Sequence, residues 1–244
     1  MRAALSVLIF VGVVHPVHGA EPKRSFETAS TERATFPASG LIRLDHSYGY
    51  LVVEGWDEPV VEATVTKSTD WFGDSIRQEK ADRRFDEVRV AVGHPSASEL
   101  TISTALPVRN SLFSSVLPSG KVVVTSPLPP NNKRGVTVEY RVRVPRSSRL
   151  EVHQDNGYVW VSDLNGDIEV HSHTGDMIVM LQEAGGYSID ARTGVGNVTS
   201  DIAGQIRRYL LGSHLTYADE APAHRVLLRM GRGSITIKQD SPAR

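Results

Sequence analysis

Apolar and polar residues alternate along much of this chain, and glycines punctuate the alternation at repeated distances. Leu150 and Val152 lie seven and five residues before Gly157, and Val159 and Val161 lie two and four after it. Ile168 and Val170 stand in the same relation to Gly175, followed by Met177 and Val179. Tyr187 and Ile189 stand so to Gly194, followed by Gly196 and Val198. The pattern returns at Ile42, Leu44, Gly49, Leu51 and Val53, and again at Val226, Leu228, Gly233, Ile235 and Ile237. A second series, Gly166, Gly185 and Gly204, falls between the first at a spacing of nineteen. Successive side chains on a strand point to opposite faces, so each glycine is flanked by two strands with one buried face. The alternation predicts Leu150, Val152, Val159, Val161, Ile168, Val170, Met177, Val179, Ile189 and Val198 as inward residues.

A unit of about 18 residues is too short for a strand and a helix, but fits two strands and two tight turns, one coil of a flattened β-solenoid. The rival arrangement is an antiparallel β-meander or sandwich, because Asn156-Gly157 is a strong hairpin signal and Thr174-Gly175 and Thr193-Gly194 could serve similarly. The nearly constant spacing of both glycine series favours stacked coils. Between the first unit and the main block, Val60–Thr66, Glu87–Val92, Leu100–Thr104, Lys121–Thr125 and Val136–Val144 show period two and predict half-buried strands. The charge-rich stretch 67–86 predicts a short helix over Ser75–Arg84, while 105–120 and 126–135 read as loops and 211–225 interrupts the repeat. Residues 39–240 therefore read as one all-β domain.

The chain has 244 residues, 40% of them hydrophobic and 23% charged, which is enough apolar material for a filled core. Its 27 Lys and Arg against 28 Asp and Glu give a formal charge of -1, so no global field draws it to nucleic acid or to an anionic membrane. With no cysteine, disulfides, thiol nucleophiles and Cys-based metal sites are excluded. Arg2, the apolar run Ala3–Val14 and small residues before Glu21 read as a secretory signal peptide over 1–20. Pro16, His15 and His18 interrupt the run well short of the roughly 20 residues a span requires. Residues 21–38 read as a flexible leader, and the mature chain is expected to be exported, periplasmic or extracellular, without a membrane span.

The run Gly49-Tyr50-Leu51-Val52-Val53-Glu54-Gly55-Trp56-Asp57 followed by a Val-rich strand, with the Asn156-Gly157, Thr174-Gly175, Thr193-Gly194 ladder, resembles the bacterial putative-adhesin family, exported proteins of the DUF4097 type and their head-domain relatives. The resemblance covers about 200 residues by short motifs. It implies a β-helix-like fold, export to the envelope and no established enzymatic activity, and it brings no set of functional residues.

If coils stack, equivalent residues form rows about 4.8 Å apart. One outward row is expected to hold His153, His171 and Asp190, with His173 nearby; two imidazoles and a carboxylate would suit Zn or Cu, although outward strand positions are polar in any case. Glu151 and Glu169 form a second row, and Asp155, Asp163, Asp167 and Asp176 lie at turns, where Asp is an ordinary turn former. Tyr158 and Trp160 alternate with inward Val159 and Val161 and should face solvent, a partner or a covering loop; Trp71 and Phe72 are a second exposed aromatic pair. No nucleophile elbow, zinc-protease helix motif, phosphate loop or dinucleotide fingerprint is present. No cofactor is expected. The reading is a non-catalytic envelope binding or scaffold module for a protein or glycan, with a polysaccharide lyase or hydrolase using solenoid carboxylates as the alternative.

Overall fold

Alternation with one buried face produces strands almost throughout. In chain order these are β1 (Leu8–Phe10), β2 (Ser25–Thr35), β3 (Leu41–Trp56), β4 (Val60–Asp70), β5 (Arg89–Ser96), β6 (Glu99–Ala105), β7 (Ser115–Val116) and β8 (Val122–Val123). They continue with β9 (Thr137–Pro145), β10 (Arg149–Ser162), β11 (Ile168–Gln182), β12 (Tyr187–Val195), β13 (Val198–Ser200), β14 (Gln205–Arg208), β15 (Ser213–Ala218) and β16 (His224–Asp240). The computed structural model describes residues 8–10, 25–70, 78–86, 88–105, 115–116, 122–123, 136–182 and 186–240. One helix, α1 (Gln78–Asp86), is present among them, two to three residues later than the sequence predicts. The fold is all-β.

The repeat units pair in parallel and in register. Leu150 stands level with Ile168, Gly157 with Gly175 and Val161 with Val179. Gly49 stands level with Gly157, and Gly175 with Gly233. This register fixes the path of each unit. The 14 residues of β10 would run about 46 Å if straight, yet five connecting residues, spanning at most about 18 Å, bring the chain back to start β11 alongside. The chain must therefore double back inside the strand, and it does so at the glycine. Inward positions change phase there, from Leu150, Val152 and Gln154 to Val159 and Val161. Gly175 shows why no other residue serves: its φ is +134°, and a Cβ would lie 1.7 Å from the carbonyl oxygen of Gly157 on the neighbouring unit.

Two layers result, joined at the glycine bends, with apolar rows facing each other between them. The first-half layer continues from β3 through β6 to β5 and, at its other end, from β12 to β15 and β14. The second-half layer continues from β3 through β9 to β4 and β2 and ends at β13. The sheet does not close on itself. All ten residues expected to face inward are buried.

Several expectations are corrected. The unit containing Tyr187 does not stack on the unit before it, because β16 lies between β11 and β12. Within that unit the register is displaced by two: Ile189, not Tyr187, stands level with Val226, and Gly196, at φ +132°, makes the bend in place of Gly194. Parallel pairing does not extend over all of 39–240, since β2–β4–β9, β5–β6 and β12–β15–β14 pair antiparallel. The segment read as a leader carries β2, held by eleven paired residues on β4, with Phe26 half-buried against the core and Arg33 paired to Glu62 at 3.1 Å.

Candidate functional site

The outward face of the second-half layer carries an aromatic and apolar patch. Tyr50 and Tyr158 are level with each other on adjacent strands, their ring centroids 6.3 Å apart and tilted by 49°. Two residues further on, Val52, Trp160, Ile178 and Thr236 form the next outward row. The interior neighbours of these residues, Leu51, Val53, Val159, Val161, Met177 and Val179, are fully buried, so the pleat holds the patch on a packed base. Tyr50 is 52% exposed, whereas Val52, Tyr158, Trp160 and Ile178 are half-buried. Polar groups frame the patch. Arg141 stands level with Val52 and Glu139 with Tyr50 at one side; Asp176, which accepts hydrogen bonds from the Ser234 amide and hydroxyl, stands level with Tyr158 at the other. Burial, and then the Asp176 carboxylate, push the Tyr158 phenol above its ordinary pKa, so it is an uncharged donor at neutral pH. The arrangement can stack on a planar apolar surface and offer hydroxyl, carboxylate and guanidinium groups at its rim.

The outward face of the first-half layer is a field of ion pairs. His153 and His171 do meet, their rings stacked 5.3 Å apart. Each imidazole is nevertheless turned to a carboxylate: His153 Nδ1 lies 3.5 Å from Asp45 and His171 Nε2 lies 2.9 Å from Glu169. Asp190 does not join them. The two-residue displacement moves it out of the histidine row, where it accepts from Arg229 Nη2 at 2.7 Å and faces His214 Nε2 at 2.7 Å. The Arg229 guanidinium, with the His214 contact adding, holds the Asp190 carboxyl below its usual range; the hydrogen bond from His171 does the same for Glu169. Among the described residues no group of three or more His, Asp or Glu could hold a metal ion. Of the carboxylate row expected for glycosidic chemistry, Glu151 is bound by Arg43 at 3.1 Å. Trp71 and Phe72 lie outside the described residues.

Sequence reasoning missed a buried polar row just before the bends. His46, Gln154 and Ser172 stand level and face inward, and His46 Nε2, Gln154 Oε1 and Ser172 Oγ have no hydrogen-bond partner among the described residues. Burial drives the His46 pKa down to about 3, so the ring is neutral; its Nδ1 lies 3.1 Å from Thr104 Oγ1, and Thr104 in turn bonds Tyr140. Continuing the inner series 42, 44 to 46 and 150, 152 to 154 was the signal that could have found it. Lys67 is also half-buried, beside a hollow of about 370 Å³ walled by Val65, Val88, Val90 and Ile102, but its ammonium donates to the Phe85 and Val88 carbonyls at the end of α1.

No family model matches the chain, and no curated protein matches it. Two solved structures are similar. A putative cell adhesion protein from Clostridium sporogenes is 12% identical, covers 89% of this chain and 100% of its own, and superposes with a TM-score of 0.50. A putative adhesin from Bacteroides fragilis is also 12% identical, covers 90% and 98%, and has a TM-score of 0.28. At this identity the first likeness shows an adhesin-like fold and nothing more specific, and the second carries no argument.

Proposed function

We propose that this protein is an exported, non-catalytic binding or scaffold module of the cell envelope, which holds a protein or glycan partner on the aromatic outer face of its second-half layer. The observation that carries this reading is the row Val52, Trp160, Ile178 beside the Tyr50–Tyr158 pair, set outward on strands whose inner residues are fully buried. A preformed aromatic surface loses little entropy on binding, and rings of this kind dominate both sugar stacking and protein interfaces. Export is supported by the basic, apolar and small-residue order of the first twenty positions.

The test is retention of the purified mature chain on envelope fractions and on a glycan panel. Trp160→Ala is expected to weaken retention by about thirtyfold, the size of an aromatic hot spot, while His171→Ala leaves it unchanged. Turnover of a glycan that survives Trp160→Ala and disappears on loss of Glu151 or Glu169 would replace this reading with an enzymatic one.

A further inference from the structure

The far end of the first-half layer carries a feature that the aromatic face does not explain. The β14–β15 hairpin turns through residues 209–212, and its tip holds Leu210 97%, Leu211 63% and Tyr209 53% exposed, beside Val195 at 39%. This is not a loose loop. The Tyr209 amide donates to the Gly212 carbonyl at 2.8 Å, and the Gly196 amide donates to the Leu211 carbonyl at 2.7 Å, tying the tip to the last glycine bend. Buried Ser213 locks the base: its amide donates to Thr193 Oγ1 at 3.0 Å and its Oγ accepts from the Val198 amide at 2.6 Å. The turn thus holds two leucines and a tyrosine outward in water, which is unfavourable unless something covers them.

Among the described residues, the exposed charge around the tip is of one sign. Residues 202–218 contain Arg207, Arg208 and His214 and no Asp or Glu. Exposed Arg192 stands level with His214, which stands level with Arg207, and exposed Arg232 stands level with Val195. The acid of this neighbourhood, Asp190, is taken up by Arg229 and His214. Asp201, Asp219 and Glu220 fall at the opposite end of the hairpin. The geometry points to an anionic phospholipid surface as the occupant: a narrow, projecting apolar tip enters the headgroup and upper acyl region while the guanidinium collar meets the phosphates. A convex tip of three side chains suits a deformable bilayer better than the flat counter-surface a protein partner presents. Since the whole chain has a charge of -1, the attraction is local to this end and orients the molecule tip-down.

The test uses the mature chain in co-sedimentation with neutral phosphatidylcholine vesicles and with vesicles in which about a third of the lipid is phosphatidylglycerol. Binding is expected to the anionic vesicles, to fall with added salt, and to weaken at least tenfold in the Leu210→Ser, Leu211→Ser double variant. Each of Arg207→Ala and Arg208→Ala should weaken it roughly fivefold. These side chains lie outside the core, so an unchanged urea midpoint verifies that the variants fold. Trp160→Ala should bind vesicles like the parent, which separates failure here from failure of the aromatic face. Equal binding by the double-serine variant overturns the inference, as does equal binding to neutral vesicles. So does a dimer in sedimentation velocity that the double-serine variant abolishes without any vesicle binding, which would make the tip a contact between copies of this chain.

Discussion

Gly175 and Gly93 make opposite demands on a methyl group. At Gly175 a Cβ would meet the Gly157 carbonyl at a bend with φ +134°, so Gly175→Ala should destabilise the fold by more than about 3 kcal/mol, read as a lower urea midpoint. At Gly93 nothing among the described residues lies within 4 Å, and Gly93→Ala should change stability by less than about 1 kcal/mol. His46 makes a demand on pH. Its folded pKa of about 3 lies below the ordinary value of 6.5, so the unfolded chain takes the proton first. Stability is therefore intact above pH 6.5 and declines as pH falls from there toward 3, by at most about 1.4 kcal/mol per pH unit. Between about pH 7 and about pH 5 the parent should lose about 2 kcal/mol more than His46→Gln. Equal losses in urea titrations of the two would place the acid sensitivity elsewhere.

At the scale of elements, β16 decides the assembly. It comes last in the described chain yet lies between β11 and β12, with Leu228 buried level with Val170 on one side and Ala191 on the other. Leu228→Ala should cost about 2–5 kcal/mol. A chain ending at residue 223 should fail to unfold cooperatively and should be cut rapidly by protease, because β11 and β12 would each present an open edge to the core. The strands themselves were legible from sequence, since their inner rows run unbroken through Val152, Val159, Val170 and Val179. Their order was not, because every unit offers neighbours the same apolar offsets around its glycine, and local pattern does not say which unit a given one meets. The same limit explains Asp190: Gly194 and Gly196 both fit the spacing, and choosing the former put the carboxylate in the wrong row. Tyr158 and Trp160 could be placed outward because Val159 and Val161 fix the pleat. The cationic end could not be seen, as Arg192, Arg207 and Arg232 come together only through three separate pairings.

The molecule as a whole is assembled from distant partners. Arg43 bonds Glu151 across a separation of 108 residues, and β3 pairs with β10 along nearly its full length. Such long-range pairing makes refolding slow, and tryptophan fluorescence after dilution from urea should recover over about seconds or longer. Complete recovery within milliseconds would contradict the topology. The place of β16 has a further consequence for how the protein is made. Synthesis delivers residues from the amino end, so the strand that seals the gap between β11 and β12 leaves the ribosome after both its neighbours. Until it emerges, the gap between β11 and β12 leaves the interior incomplete and the nascent polypeptide open to protease. Stalled chains lengthened step by step past residue 224 should become protease-resistant abruptly, only once β16 is free.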